Sequence, residues 1–460
     1  MNLRPYQLES VNGLRSSFKS GFRSLILCIP TGGGKTIVFT TITKGAIKMG
    51  RKVMIICDRK ELIGQAEYNL NRLGLYPTII APGYKQDLNN CYLASVDTLV
   101  RRELPEVDII IIDEAHKQTF DKIIKKYKEE TPYNPLFIGA TATPLRTGKQ
   151  TSLHELYDKI IEPVTIDDLL KSGFLVPCVT YAAKEDFSSV KITGNDYNSA
   201  ALYEKFNKAK LYEGVIEKYR QFAEGKKALV FNVNVEHSKN MVQEFRRAGY
   251  PSEHLDGSTP KARRRQILED FSKGVFKILS NCSVLTTGYD EPSIEAVIIN
   301  RATKSLPLYL QMVGRGSRLH ENKKNFVCID MGANVYEHGL WQDARTWELV
   351  KKRRNSNGVA PVKLCPSCEA MNYASARVCF ECGELFKIKA KALLKADFVE
   401  VTKGLKNVSR GAGKVFNPNT ASKEELKKHA QNKGYKPNWV YIQLKMQEKK
   451  RRPQPIKRGN

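Results

Sequence analysis

Three glycines, a lysine and a threonine stand in a row at Gly32, Gly33, Gly34, Lys35 and Thr36, inside the segment IPTGGGKT (29–36). Consecutive glycines let the backbone curl so that several N–H groups, beginning near Thr31, converge on one anion. The helix that opens behind them adds its partial positive charge. Lys35 is then placed to reach the β- and γ-phosphates of a nucleotide, and the Thr36 hydroxyl to hold Mg²⁺. The phosphate-loop pattern asks for a glycine where this chain has Ile29. Further along, IIIIDEAH (109–116) ends an apolar run on two adjacent carboxylates. Delivering two acids at the end of a buried strand is costly unless they are used. Asp113 suits Mg²⁺, and Glu114 suits positioning and deprotonating an attacking water.

A second group of reactive side chains lies far downstream. Cys365, Cys368, Cys379 and Cys382 follow the spacing C-x2-C-x10-C-x2-C. Two thiolate hooks on turn-sized loops suit tetrahedral Zn²⁺, and with no open ligand position the site reads as structural. The other six cysteines are scattered, several of them within apolar runs, and read as reduced core residues.

These residues need elements to carry them. Apolar runs at 24–29, 52–57, 90–95, 107–113 and 135–141 alternate with helical patterns. The texture returns at 227–233, 276–282, 296–300 and 325–330. Near-continuous Val/Ile/Leu runs of this length predict parallel strands covered by helices on both faces. The expected layout is an α/β unit over 1–160, a connecting segment over 161–210 and a second α/β unit over 211–345. A linker with the cysteine knuckle would follow over 346–385, and a basic helical tail over 386–460. Within that tail Ser422 and Glu425 have capping-box spacing, Gly434 marks a stop, and Trp439 and Tyr441 are expected to pack into a small core, with stacking on bases as the alternative.

With 460 residues and 41% apolar content, the chain is large enough for two or three domains. No apolar run approaches a membrane span, and the first residues lack a leader pattern, so a soluble cytoplasmic protein is expected. Net charge is +27, and residues 383–460 hold 20 Lys/Arg against 6 Asp/Glu. Half of the excess thus sits in a sixth of the chain, which points to a polyanionic partner, nucleic acid above all.

GGGKT and DEAH, in this order, resemble the DEAH-type branch of the superfamily 2 helicases, which accepts a residue other than glycine at position 29. The resemblance implies two tandem RecA-like parallel-sheet domains and further motifs, and it covers about 1–345. RPYQ (4–7) looks like the Q motif, so Gln7 would read the adenine edge. CDRKELIGQ (57–65) resembles a strand-contact motif containing Arg59 and Gln65, and ASVDTL (94–99) the next one, with Ser95. GATATP (139–144) looks like the motif that couples hydrolysis to strand movement, implying coupling roles for Thr141 and Thr143 together with His116 and Gln311. VFNVNVEHS (230–238) resembles the first motif of the second domain and HLDGST (254–259) the loop after it, in which Ser258 would meet nucleic acid. TTGYDEP (286–292) resembles the motif in which Thr286 meets nucleic acid while Gly288 and Asp290 face the nucleotide. QMVGRGSR (311–318) supplies Arg315 and Arg318, whose guanidiniums would stabilise the departing γ-phosphate.

The knuckle resembles short zinc-ribbon and RanBP2-type fingers, with Asn372 in place but Lys363 where a tryptophan is common. Domain order and the GYKPNW stretch are similar to RadD-type bacterial repair helicases and phage branch-migration helicases. The resemblance therefore implies an ATP-dependent DNA helicase acting on forked, branched or single-stranded DNA, with ATP, Mg²⁺ and structural Zn²⁺, in a bacterial or phage-infected cytoplasm. It also implies a monomer working with other replication or repair proteins. An RNA helicase, or an ATP-gated clamp that remodels complexes without unwinding, fits the same motifs.

Overall fold

The protein is represented by a computed structural model. It describes residues 3–58, 60–72, 74–85, 89–146, 152–286, 288–349, 360–386, 421–433, 440–441 and 443–445. The chain divides into a unit spanning Met1–Ile388 and a second spanning Lys389–Asn460.

The first unit holds two parallel sheets, one per lobe. In the first lobe the strands are β1 (Ser24–Cys28), β2 (Val53–Cys57), β3 (Thr78–Ile80), β4 (Cys91–Ser95), β5 (Ile109–Asp113), β6 (Leu136–Thr141) and β7 (Lys159–Ile161). They lie in the order β3-β4-β2-β5-β6-β1-β7. β1, β2 and β4 are buried at every position, as expected of strands covered on both faces. Gly139 in β6 is there for space: a Cβ would meet the Tyr157 ring at 2.7 Å and the Ala115 Cβ at 2.8 Å.

β8 (Cys178–Ala182) belongs to the second lobe. The short hairpin strands β9 (Ile192–Thr193) and β10 (Asp196–Tyr197) follow, then β11 (Ala228–Asn232), β12 (Ser252–Leu255), β13 (Ile278–Asn281), β14 (Ala296–Asn300) and β15 (Phe326–Asp330). The second sheet runs β12-β13-β11-β14-β15-β8. The 161–210 stretch, expected as a connector, thus contributes an edge strand to this sheet, with Cys178 opposite Phe326 and Ala182 opposite Asp330. β8 has only five residues, two of them half-buried, and is flanked by polar segments, so its apolar signal is weak.

One apolar core runs through both lobes, joining Leu27, Val38 and Ile138 to Leu169, Leu175, Phe231 and Met312. Separate clusters cover the far face of each sheet. The knuckle strands β16 (Val362–Leu364) and β17 (Met371–Tyr373) form an antiparallel pair. In the second unit a helix spans Lys423–Lys433. Its start is capped reciprocally: Ser422 N donates to Glu425 Oε2 at 2.8 Å, and Glu425 N to Ser422 Oγ at 3.2 Å. Tyr441 is 56% exposed, with the Lys445 ammonium 5.0 Å from its ring. It is therefore not a core residue, because the helical turn carrying it turns the ring outward. Gly434 and Trp439 lie outside the described residues.

Candidate functional site: a nucleotide cleft between two lobes

β1 ends at Cys28, and Ile29 continues the ladder by donating its N–H to Thr141 O at 3.2 Å. The chain then turns through Gly32 (φ 84°) and Gly34 (φ 79°) into the helix Lys35–Lys48. Ile29 is fully buried and fills the space beside Gly33, where a Cβ would lie 2.5 Å from Ile29 Cγ2. Tyr6 pins the loop from outside, its hydroxyl donating to Gly33 O at 2.8 Å. Lys35 Nζ rests on Ile29 O at 3.2 Å.

Gln7 is 1% exposed, and its Oε1 accepts the Arg4 N–H at 3.0 Å. That bond turns Nε2 toward the loop, where it has no partner. A Cβ on Gly34 would come within 2.6 Å of this nitrogen. A buried, fixed and unsatisfied donor beside a phosphate loop fits a base acceptor.

Asp113 ends β5, and burial, reinforced by the Glu114 charge, pushes its carboxyl up to about 6 against the opposing pull of Lys35. Glu114 sits at φ 55°, a left-handed conformation that costs a non-glycine residue about 1 kcal/mol or more. Its Oε2 accepts Gln311 Nε2 at 3.1 Å, a contact made from the second lobe. His116 Nδ1 lies 3.5 Å from the same oxygen and 2.8 Å from Thr141 Oγ1. Thr141 Oγ1 in turn accepts the Thr143 N–H at 3.0 Å. The four expected coupling residues thus form one connected path through Glu114. Burial lowers the His116 pKa against the opposing pull of the Glu114 charge.

The sequence reading missed the residue that holds this loop in shape. Arg146 is 5% exposed; it donates to His116 O at 2.7 Å and Lys117 O at 3.0 Å, and grips Asp121 with bonds of 2.6 and 2.9 Å. A lone arginine after GATATP gives no spacing signal, because most of its acceptors are backbone carbonyls of the acidic loop.

From the second lobe, Arg315 is buried and donates to Thr286 O at 2.7 Å and to Tyr289 O. Burial, with help from Arg318, lowers its pKa to about 9. Arg318 pairs with Asp290 and keeps a buried Nη1 without a partner. Thr31, Gly32, Gly34, Lys35, Thr36, Asp113, Glu114, Gly288, Asp290, Arg315 and Arg318 all line one cleft of about 490 Å³, within the range of nucleotide-sized pockets.

The residues expected to touch nucleic acid are spread along strand ends. Ser95 and Thr286 are buried, at 4% and 7% exposure. Ser258 is exposed, but its N–H and hydroxyl both donate to Asp256 Oδ1 at 2.7 Å. Arg59 and the Gln65 side chain lie outside the described residues.

The four knuckle sulfurs lie within 4.8 Å of one another, with Cys365–Cys382 and Cys368–Cys379 at 3.7 Å. Zn–S bonds of about 2.3 Å give a tetrahedral edge of about 3.8 Å, so the set fits structural Zn²⁺. Asn372 Nδ2 points at Cys379 Sγ at 3.4 Å, while its Oδ1 accepts Phe380 N at 3.1 Å. Lys363 Nζ lies 3.9 Å over the Phe386 ring. Cys365, Ala370 and Cys379 pack on Val179 of β8, and Tyr373 donates to Asp343 at 2.7 Å. The knuckle therefore braces the second lobe.

Comparison with known proteins agrees with this geometry. Residues 1–146 match the family "Type III restriction enzyme, res subunit", and residues 208–320 match "Helicase conserved C-terminal domain". The "51.5 kDa protein" of Lactococcus phage (isolate 7-9) is 31% identical over 372 residues, 79% of this chain and 78% of that protein. A Saccharomyces cerevisiae protein, IRC3, provisionally named an ATP-dependent helicase, is 30% identical over 352 residues, 71% of this chain and 51% of its own length. The chain thus spans about half of the yeast relative. Among solved structures, the ATP-dependent Type ISP restriction-modification enzyme LlaBIII bound to DNA shares the fold, with TM-score 0.53 and 17% identity over 72% of this chain and 28% of that one. The chain belongs to the superfamily 2 helicases, and that family implies ATP hydrolysis with Mg²⁺, coupled to work on nucleic acid. Among the described residues, no helix is long and apolar enough to cross a membrane.

Proposed function

We propose that the protein is an ATP-dependent DNA helicase or translocase acting on forked or branched DNA, in replication, recombination or repair. The hydrogen bond from Gln311 in one lobe to Glu114 in the other carries the motor part of this reading. It makes the catalytic carboxylate's position depend on how the lobes meet, which is what coupling hydrolysis to movement requires.

In this reading Lys35 and the loop N–H groups bind the phosphates and Gln7 Nε2 meets the base. Glu114 orients the attacking water and takes its proton. Arg315 and Arg318 meet the charge that develops as the γ-phosphoryl group transfers. Thr36 and Asp113 would hold Mg²⁺, which neutralises phosphate charge when bound. DNA is favoured over RNA by the restriction-enzyme family match, while the concentrated basic charge of residues 383–460 suits the phosphates of either polymer. ATP hydrolysis measured with single-stranded DNA and with matched RNA tests this directly. We expect DNA to stimulate turnover tenfold or more above RNA; equal or stronger stimulation by RNA contradicts the assignment.

A further inference from the structure

Beyond β8 the chain builds a small module before the helix Ala209–Ala223 begins. Phe187, Val190, Leu202 and Phe206 pack together with Val233, Ala302 and Ala333. Those last three residues follow β11, β14 and β15, so the module sits on the rim made by the C-terminal ends of the second sheet. The ATP-facing arginines occupy the opposite rim. Ser317 O accepts the N–H of Val176, just before β8 begins, which places 314–318 at the N-terminal ends of these strands. The ends of β11 and β12, where VFNVNVEHS and the Ser258 loop lie, share the module's rim.

From this module the β9–β10 hairpin projects, closed by the two-residue turn Gly194–Asn195 with Gly194 at φ 66°. A ladder this short does not hold by itself. Here it is tied down at three points. Asp196 accepts Thr303 Oγ1 at 2.6 Å and Lys304 N at 2.7 Å, with Arg301 at 3.7 Å. Asn198 donates its N–H to Lys191 O at 2.7 Å and its Nδ2 to Thr193 Oγ1 at 3.1 Å. The Tyr197 ring leans on Phe187, with centroids 6.4 Å apart. The side left open carries Ile192, 54% exposed, between the exposed Lys191 and Thr193.

A single exposed isoleucine is ordinary. An isoleucine on an anchored hairpin, flanked by a lysine and sharing a rim with the loop that carries Ser258, has the chemistry to meet the end of a duplex. The terminal base pair offers a flat apolar face, against which inserted aliphatic side chains break stacking. The adjacent phosphates offer charge to an ammonium. We propose that the β9–β10 hairpin is a strand-separating wedge: Ile192 packs against the terminal base pair, and Lys191 meets the backbone of the displaced strand. ATP-driven movement of the tracked strand would then draw the duplex against it. This inference rests on reading the chain as a nucleic-acid motor.

The test uses the full-length protein and the substitutions Ile192→Asp, Ile192→Leu and Asp196→Ala. ATP hydrolysis on single-stranded DNA and separation of a forked duplex are measured for each. We expect Ile192→Asp and Asp196→Ala to keep strand-stimulated hydrolysis within twofold of wild type while separation falls tenfold or more. Ile192→Leu should separate strands normally. If Ile192→Asp separates strands as fast as wild type, the wedge is refuted while the motor reading stands, and the patch serves another partner. A parallel fall of hydrolysis and separation also refutes the wedge, since the residue would then serve strand binding. Wild-type protein with no strand-dependent hydrolysis and no separation refutes the motor reading, and the wedge with it.

Discussion

At the scale of single residues, the nucleotide cleft is defined by groups left with something still to bind. Gln7 Nε2 has no partner, so Gln7→Ala should weaken ATP binding without unfolding the loop. One buried hydrogen bond is worth about 0.5–1.5 kcal/mol, so KM for ATP should rise about threefold to tenfold with little change in kcat. Glu114→Gln should instead lower kcat by about a hundredfold or more while ATP still binds, because only the proton transfer is lost. Arg146 makes a different prediction, about folding. Arg146→Ala strands the buried Asp121 carboxylate and two loop carbonyls, at about 3–5 kcal/mol. Arg146→Lys should rescue little of that, since an ammonium cannot reproduce the forked bonds to Asp121. A lowered thermal midpoint in both variants would confirm this.

At the scale of elements, the second sheet carries a pH liability. His237 is buried with Nε2 3.0 Å from Asn300 Nδ2 and Nδ1 3.4 Å from Val233 N, and burial lowers its pKa to about 4. The neutral ring has one acceptor nitrogen, and a second proton would remove it, leaving the Val233 N–H facing a donor. The unfolded chain takes up that proton near its ordinary value of about 6.5 and the folded chain does not, so stability falls as pH drops from about 6.5 toward 4. The loss is at most about 3 kcal/mol. Chemical denaturation at pH 7 and pH 5 should show it, and His237→Gln should flatten the difference.

The knuckle is a second element with its own test. Metal analysis should find about one Zn²⁺ per chain, lost with Cys365→Ser, and chelation should lower thermal stability because the knuckle packs on Val179 of β8.

Much at this scale was legible in the sequence, because the long Val/Ile/Leu runs mark parallel strands and the glycine-lysine and acidic pairs mark the ends of β1 and β5. The short edge strands β3, β7, β8 and β12 were not legible, since three to five residues with polar flanks carry no period. Arg146 was invisible for a related reason: its role depends on carbonyls brought close by the fold.

At the scale of the whole molecule, the two lobes meet across the cleft through residues contributed by both. Thr31 lies beside Gly314, where a Cβ would come within 3.1 Å, and Gln311 reaches Glu114. The sequence supplied both sets of residues, but the contact between them depends on how the lobes close, which no spacing encodes. The concentrated charge of residues 383–460 makes its own prediction. Removing that segment should weaken DNA binding and flatten its dependence on salt, because fewer counterions are released. An unchanged slope would place the electrostatic anchor in the lobes.

The most direct measurement is strand separation by the purified protein with ATP and Mg²⁺ on forked duplex, four-way junction and plain duplex, each made in DNA and in RNA. This account predicts separation of branched DNA, slower action on plain duplex, and none with Glu114→Gln. Separation of RNA alone, or ATP hydrolysis with no separation of any substrate, would contradict it.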